Sequence, residues 1–383
     1  MWIFFIALPG AILGLNLFLA YAARRLFAAH AKLRAAATAL TLGALFLFAL
    51  AFVGFLMRAH GGGVFGFAWE FLAFAVVPVI YLALWAAAGM LAAKIFPRLA
   101  RFKWAFAGTG VALVAAVCAF GFWKFEHPRV RSFAWNPREK TFVEQDAGTP
   151  KAPGALRVVA TADWHLGARV GRERTEKFVA LVNARKPDAV VVAGDLIDGD
   201  VAPVEAARLD EALRGINAPL GVFATLGNHE YFGDLPRERA FIRRAEIRLL
   251  RDSRALVADE TGAPRLLFVG RDDATNRSRA PVASLLAARP EGVPAFVIDH
   301  QPKGAPEAAA AGADFVFCGH THAGQLWPAT WLVGFFNPHV SGAWREAGTL
   351  GYVTSGLGLW HIPYRVGSDS ELVVIDVLRT GAQ

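Results

Sequence analysis

Cysteine is nearly absent from this chain: Cys118 and Cys318 are the two in 383 residues. One falls inside an apolar run and the other inside an expected buried strand, so no disulfide scaffold is available. A basic stretch ahead of the first apolar run is also missing. Arg24 and Arg25 follow that run instead, which favours a retained span over a cleaved leader. Acidic residues are scarce before residue 125 and concentrate after it. No charged side chain interrupts the apolar runs, which argues against the intramembrane charge path of a transporter or channel. There is no basic stripe with interleaved aromatics, and charge over 156–325 is mixed, so a nuclease or other nucleic-acid binder is not expected.

Apolar length is what the chain has in excess. Hydrophobic residues make up 55%, and the mean hydropathy is +0.37. Four runs, 2–22, 36–57, 70–93 and 104–123, each approach the ~20 residues a helix needs to cross a bilayer. Four such runs in succession seldom occur as core helices of a soluble domain. The net charge of +8 and pI of 9.8 owe much to two clusters between runs, Arg24/Arg25/Lys32/Arg34 and Lys94/Arg98/Arg101/Lys103. The loop from Met57 to Glu70 carries only Arg58. The positive-inside rule puts the two basic loops in the cytoplasm and everything after the fourth run outside, although Lys124, Arg129 and Arg131 work against that assignment. Residues 1–124 thus read as a transmembrane anchor. Residues 125–155, with Pro128, Pro137, Pro150 and Pro153, read as a linker.

From Leu156 short apolar strands alternate with polar helices. Strands are expected at 156–162, 189–194, 221–226, 265–270, 294–298, 314–318, 351–354 and 371–378. Helices are expected at 172–185, 203–214, 236–245, 281–288 and 305–311, an α/β layout. The informative feature is what ends five of the strands: Asp163-Trp164-His165, Gly194-Asp195 with Asp198, Gly227-Asn228-His229-Glu230, Asp299-His300 and Gly319-His320-Thr321-His322. Carboxyl ends of strands in open α/β sheets share a crevice, so these groups should converge. Any one motif alone is weak; five in order, each at a strand end, are not. Carboxylates, imidazoles and one amide oxygen suit Mn, Fe or Zn, and seven ligands exceed what one metal uses with room for water. Two divalent ions ~3.5–4 Å apart would clamp a phosphoryl group and lower the pKa of a bridging water.

With D-x-H, G-D-x-x-D, G-N-H-[DE], a lone His and G-H-x-H all present in order between about 155 and 323, the sequence resembles the calcineurin-like metallophosphoesterases. His320-Thr321-His322-Ala323-Gly324-Gln325 and Ser355-Gly356-Leu357-Gly358 look like the membrane-associated bacterial branch. The resemblance implies a four-layer α-β-β-α sandwich over 156–383 and hydrolysis of a phosphoester, a diester in preference, by a hydroxide bridging two metals. It puts Asp163, His165 and His322 on one metal, Asn228, His300 and His320 on the other, and Asp195 between them. His229 would be catalytic, near the leaving oxygen, and Asp198 would support a ligating imidazole. A sensor or scaffold without catalysis would have lost one of these groups, and none is missing. The expected location is a bacterial inner membrane, with the catalytic domain on the periplasmic side.

Three features stay open at this level. The segment 326–345, with Trp327, Trp331, Phe335, Phe336 and Trp344, fits core packing and equally an apolar lip touching the membrane interface, which would make a lipid-linked phosphoester the substrate. His361, where relatives tend to carry a Pro-Ile-Arg type stretch, is either a substrate contact or a structural histidine; His127 and His339 match no motif. Arg365 reads as a surface residue more readily than as a phosphate contact.

Overall fold

The computed structural model describes residues 2–56, 63–259 and 261–379, without the side chains of 2–9 and 55–56. Met1, the 57–62 loop with its Arg58, and the domain's last residues, 380–383, lie outside the described residues. The chain divides into two compact units: Met1–Trp123 with His361–Tyr364, and Lys124–Trp360 with Arg365–Gln383.

The first unit is helical. α1 (Trp2–Leu26), α3 (Gly63–Ile95) and α4 (Lys103–Glu126) cover the predicted runs 2–22, 70–93 and 104–123 and extend beyond them, and α2 (Ala31–Leu56) covers 36–56 of the run 36–57, whose last residue lies outside the described residues. Three stretches are long and apolar enough to cross a membrane: Ala31–Gly54, Gly63–Ile95 and Pro97–Glu126. α3 turns small side chains inward, with Ala68, Ala73, Val76, Val77 and Ala83 buried, while Leu40, Phe46 and Phe67 face outward. Small residues let helices approach closely where apolar burial alone gives no preference between neighbour and lipid. Trp85 stacks on Phe106 at 4.5 Å and donates its indole N–H to the Phe106 carbonyl at 2.9 Å. One expectation is revised. α3 starts at Gly63, so Glu70 lies inside a membrane-length helix, and that helix is not free of charge.

The second unit is built on thirteen strands: β1 (Arg129–Asn136), β2 (Thr141–Gln145), β3 (Leu156–Thr161), β4 (Ala189–Ala193), β5 (Val222–Thr225), β6 (Arg248–Leu249), β7 (Ser253–Ala258), β8 (Pro264–Gly270), β9 (Ala295–Ile298), β10 (Phe315–Cys318), β11 (Gly342–Glu346), β12 (Thr349–Val353) and β13 (Glu371–Val377). They form two mixed sheets, ordered β2-β1-β13-β3-β4-β5-β6 and β11-β12-β10-β9-β8-β7. Because side chains alternate along a strand, each central strand feeds two apolar clusters. Val158, Ala160, Val191, Phe296 and Phe317 pack between the sheets. Val159, Val190 and Val192 pack outward against Phe178, Val182 and Val204 of α5 (Arg172–Asn183) and α6 (Val201–Ala206), together with side chains of α7 (Leu209–Leu213) and α8 (Leu235–Arg244). Val297, Val316 and Cys318 pack against α9 (Val282–Leu286) and α10 (Ala305–Ala310).

The predicted helix 203–214 is broken into α6 and α7 by Arg208, which has φ 52°. The larger correction concerns 125–155. This stretch is not a linker: β1 pairs parallel with β13, from Arg129↔Glu371 to Trp135↔Val377, and antiparallel with β2. Its prolines flank the strands and leave the ladder intact. Trp135 is fully buried. Trp135→Ala should therefore cost the domain about 3–5 kcal/mol, read as a fall in its denaturant midpoint. A midpoint unchanged within error would show that β1 does not belong to the core.

Candidate metal centre

The five motifs stand at the carboxyl ends of β3, β4 and β5, which are parallel neighbours in one sheet, and of β9 and β10, parallel neighbours in the other. All eight predicted side chains are brought together. Three sets have ligand atoms within 4.8 Å of one another: Asp163/His165/His322, His165/Asp195/His229 and Asp195/His300/His320. Asn228 joins the last through its amide oxygen, 3.1 Å from His300 Nε2. Asp195 Oδ2 lies 3.2 Å from His300 Nε2, 3.9 Å from His165 Nε2 and 4.0 Å from His229 Nε2, so it faces both halves of the cluster.

The backbone reaches these positions at a cost. Asp163, His165, Asp195, His320 and His322 all have φ between 49° and 71°, a left-handed conformation worth on the order of 1–3 kcal/mol of strain for a residue with a side chain. Hydrogen bonds between strand ends hold it: Asp163 N–H to Gly194 O and His165 N–H to Asp195 O, both 3.0 Å, and Gly358 N–H to Asp163 O, 2.9 Å. The His320 amide donates to both Asp163 carboxylate oxygens at 3.0–3.1 Å. Gly227 and Gly319 lie so close to the Asp195 and Asp163 carboxylates that a Cβ at either position would collide with them.

Proton positions follow from the partners. His165 Nδ1 donates to Asp198 at 3.0 Å, and His300 Nδ1 donates to the Ala193 carbonyl at 2.8 Å. Their Nε2 atoms then point inward; burial would lower the His300 pKa, but Asp195, 3.2 Å from its Nε2, holds it well above the ordinary value, so that proton lies on Asp195's side until a cation replaces it. His165 Nε2 faces His322 Nε2 at 3.1 Å, a distance at which one ring donates to the other, and His322 Nδ1 is buried with no hydrogen-bond partner among the described residues. A divalent ion between the two rings would take both Nε2 atoms in place of that proton. That arrangement fits a pair of divalent ions: a mixed N/O donor set on two sides of one carboxylate.

The charges agree. Burial would raise the Asp195 carboxyl, but His300, His229 and His165 beside it hold it well below the usual range. Burial, with the Asp195 charge adding to it, pushes Asp163 up to about 6. Burial and neighbouring positive charge keep His320, at about 4, and His322 neutral, as metal ligands must be. His229 is raised to about 9, the pull of Asp195 and Asp198 overriding its burial. Asp198 accepts from Nδ1 of both His165 and His229 at 3.0 Å, so one carboxylate orients two rings.

Two residues have roles that the sequence reading did not give them. Glu230 is fully buried and accepts from the Asp195, Ile197 and Gly227 amides at 3.2, 3.0 and 2.7 Å. It thereby ties the loops after β4 and β5 together; its only signal was its place beside His229. Arg365 is not a surface residue. It is fully buried and donates to Gly356 O at 3.1 Å and Gly358 O at 2.6 Å, bracing the loop that holds Asp163. Burial lowers its pKa to about 10. His361 rests against Trp69, ring centroids 4.2 Å apart, and His339 stacks on Trp344 at 4.3 Å. Phe232, 54% exposed, lies against His229 with ring centroids 5.0 Å apart.

Comparison with known proteins agrees with this geometry: residues 156–324 match the calcineurin-like phosphoesterase family. This stretch is a calcineurin-like metallophosphoesterase domain. A Danio rerio protein named transmembrane protein with metallophosphoesterase domain is 35% identical over 238 residues, 59% of this chain and 54% of that protein. An uncharacterized metallophosphoesterase of Campylobacter jejuni is 30% identical over 237 residues, 61% of this chain and 62% of its own. One from Aquifex aeolicus is 28% identical over 233 residues, 59% of this chain and 86% of its own. The chain thus spans little more than half the length of the first of these relatives.

Glu230→Ala should leave three amides of the metallophosphoesterase domain without their acceptor, costing about 3 kcal/mol or more. It should also lower the metal retained after dialysis against chelator. Unchanged stability together with unchanged metal content would contradict the tie.

Proposed function

We propose that the protein is a membrane-anchored, dinuclear phosphodiesterase. The observation that carries this reading is the Asp195 carboxylate, which faces two sets of neutral or metal-competent donors with His229 at its side. Asp163, His165 and His322 would hold one divalent ion, and Asn228, His300 and His320 a second, with Asp195 shared; Mn, Fe or Zn suits the donors. When bound, such a pair supplies Lewis-acid polarisation of a phosphoryl oxygen and acidifies water. The chain's own side chains do the rest. Asp198 orients His165 and His229, and His229, 12% exposed and next to Asp195, is the group that reaches a leaving oxygen to donate a proton or balance its charge.

The three apolar clusters support a helix–sheet–sheet–helix sandwich for the domain. We take α1 as a fourth span beside the three long apolar stretches. Only α4 separates the Lys94/Arg98/Arg101/Lys103 cluster from the domain, so the positive-inside rule puts the domain on the far side, periplasmic in a bacterial inner membrane. Exposed Phe232 beside His229 supports a substrate with an apolar portion, a lipid-linked or cell-envelope phosphoester.

With Mn, the full chain should hydrolyse bis-p-nitrophenyl phosphate faster than p-nitrophenyl phosphate, and Asp195→Asn or His322→Ala should abolish this along with metal binding. His229→Ala should keep its metal and lose about 10²–10⁴ in kcat. Full activity in Asp195→Asn would refute the assignment, and faster monoester turnover would overturn the diester preference.

A further inference from the structure

No Asp, Glu, Lys or Arg occurs from Leu326 to Trp344. The segment leaves the metal centre directly after His322–Gln325, runs through α11 (Ala329–Leu332) and a turn of 3-10 helix at Val333–Phe335, and returns into β11. Trp344 at its end packs against the core beside β12, but the large side chains at its apex do not enter any core: Trp331 is 73% exposed, Leu332 53%, Phe335 81% and Phe336 71%. Together they offer on the order of 400 Å² of apolar surface, as large as the biggest patch a monomeric domain ordinarily shows. Nor is this a loose loop. Its base is held by Trp327 N–H to Val366 O at 2.7 Å and by the Thr321 hydroxyl to Val340 O at 2.6 Å.

We propose that this segment is a lip that seats on a phospholipid surface, with Trp331, Leu332, Phe335 and Phe336 at the boundary between headgroups and acyl chains. A protein partner of ordinary composition would be matched in part by charge, and the segment has none to offer. Short helical turns carrying Trp, Phe and Leu are what that boundary favours. A bilayer is also a permanent neighbour. The Pro97–Glu126 stretch is long and apolar enough to cross one, and only His127 and Pro128 separate its end from β1. The proposal deepens the functional reading, on which it rests for its consequence: a lip whose helix begins seven residues after His322 would place the phosphate to be cleaved at headgroup level. Its geometry does not depend on catalysis.

The test uses the full chain in nanodiscs, with a bimane label at F335C and, as control, at K177C on the exposed face of α5; the unsubstituted chain, labelled alike, corrects for Cys118 and Cys318. Lipids brominated on the upper acyl chain should quench the F335C label roughly twofold relative to unbrominated lipid and leave K177C unchanged, because interfacial side chains sit ~5–10 Å into that boundary. The W331S/L332S/F336S background should abolish the quenching. Equal emission from F335C in both lipids would overturn the proposal. So would label–label excitation transfer between copies in place of lipid quenching, which would assign the lip to a second copy of the chain. Since no hydrolysis is read, failure here leaves the metal centre untouched, and an inactive enzyme would leave the lip standing.

Discussion

Imidazoles and carboxylates crowded around one buried centre are the constraint on which this domain depends. His165 and His322 oppose their Nε2 atoms at 3.1 Å, and His300 turns its Nε2 toward the oxygens of Asp195 and Asn228. In a buried site such a cluster is held by shared protons, and the low dielectric that strengthens those bonds strengthens equally the attraction to a cation that would replace the protons. Asp198 and the Ala193 carbonyl take the outer ring protons of His165 and His300. They thereby commit those rings to turn their Nε2 atoms inward.

The rest of the fold holds that arrangement in place. Five left-handed residues at strand ends would relax in a looser scaffold. They persist because both sheets are packed on two faces by Val, Phe, Leu and Ile, and because Glu230 and Arg365 spend buried charges on backbone groups of the loops carrying the ligands. Removing either side chain would leave the backbone groups it satisfies buried without a partner.

What the sequence disclosed follows the range of the interactions. Strand-end motifs are local, so Asp163, His165, Asp195, Asn228, His229, His300, His320 and His322 could be picked out from apolar runs that stop in polar residues. The roles of Glu230 and Arg365 could not, because burial of a charge depends on partners far along the chain; Arg365 in particular carried every outward sign of a surface residue. Prolines made 125–155 look like a linker, while the pairing of β1 with β13, more than two hundred residues away, left no local trace. Glu70 was set at the edge of an apolar run because composition does not mark where a helix begins. The segment 326–345 had two open readings, and exposure of Trp331, Phe335 and Phe336 decided against the core.

The central claim is that seven side chains grip two cations across one shared carboxylate. X-ray absorption on the purified, Mn-loaded chain tests it most directly. The account predicts two ions per chain and a metal–metal scattering shell at ~3.5–4 Å, lost when Asp195 is replaced by alanine. A single ion per chain, or two ions with no such shell, would contradict it.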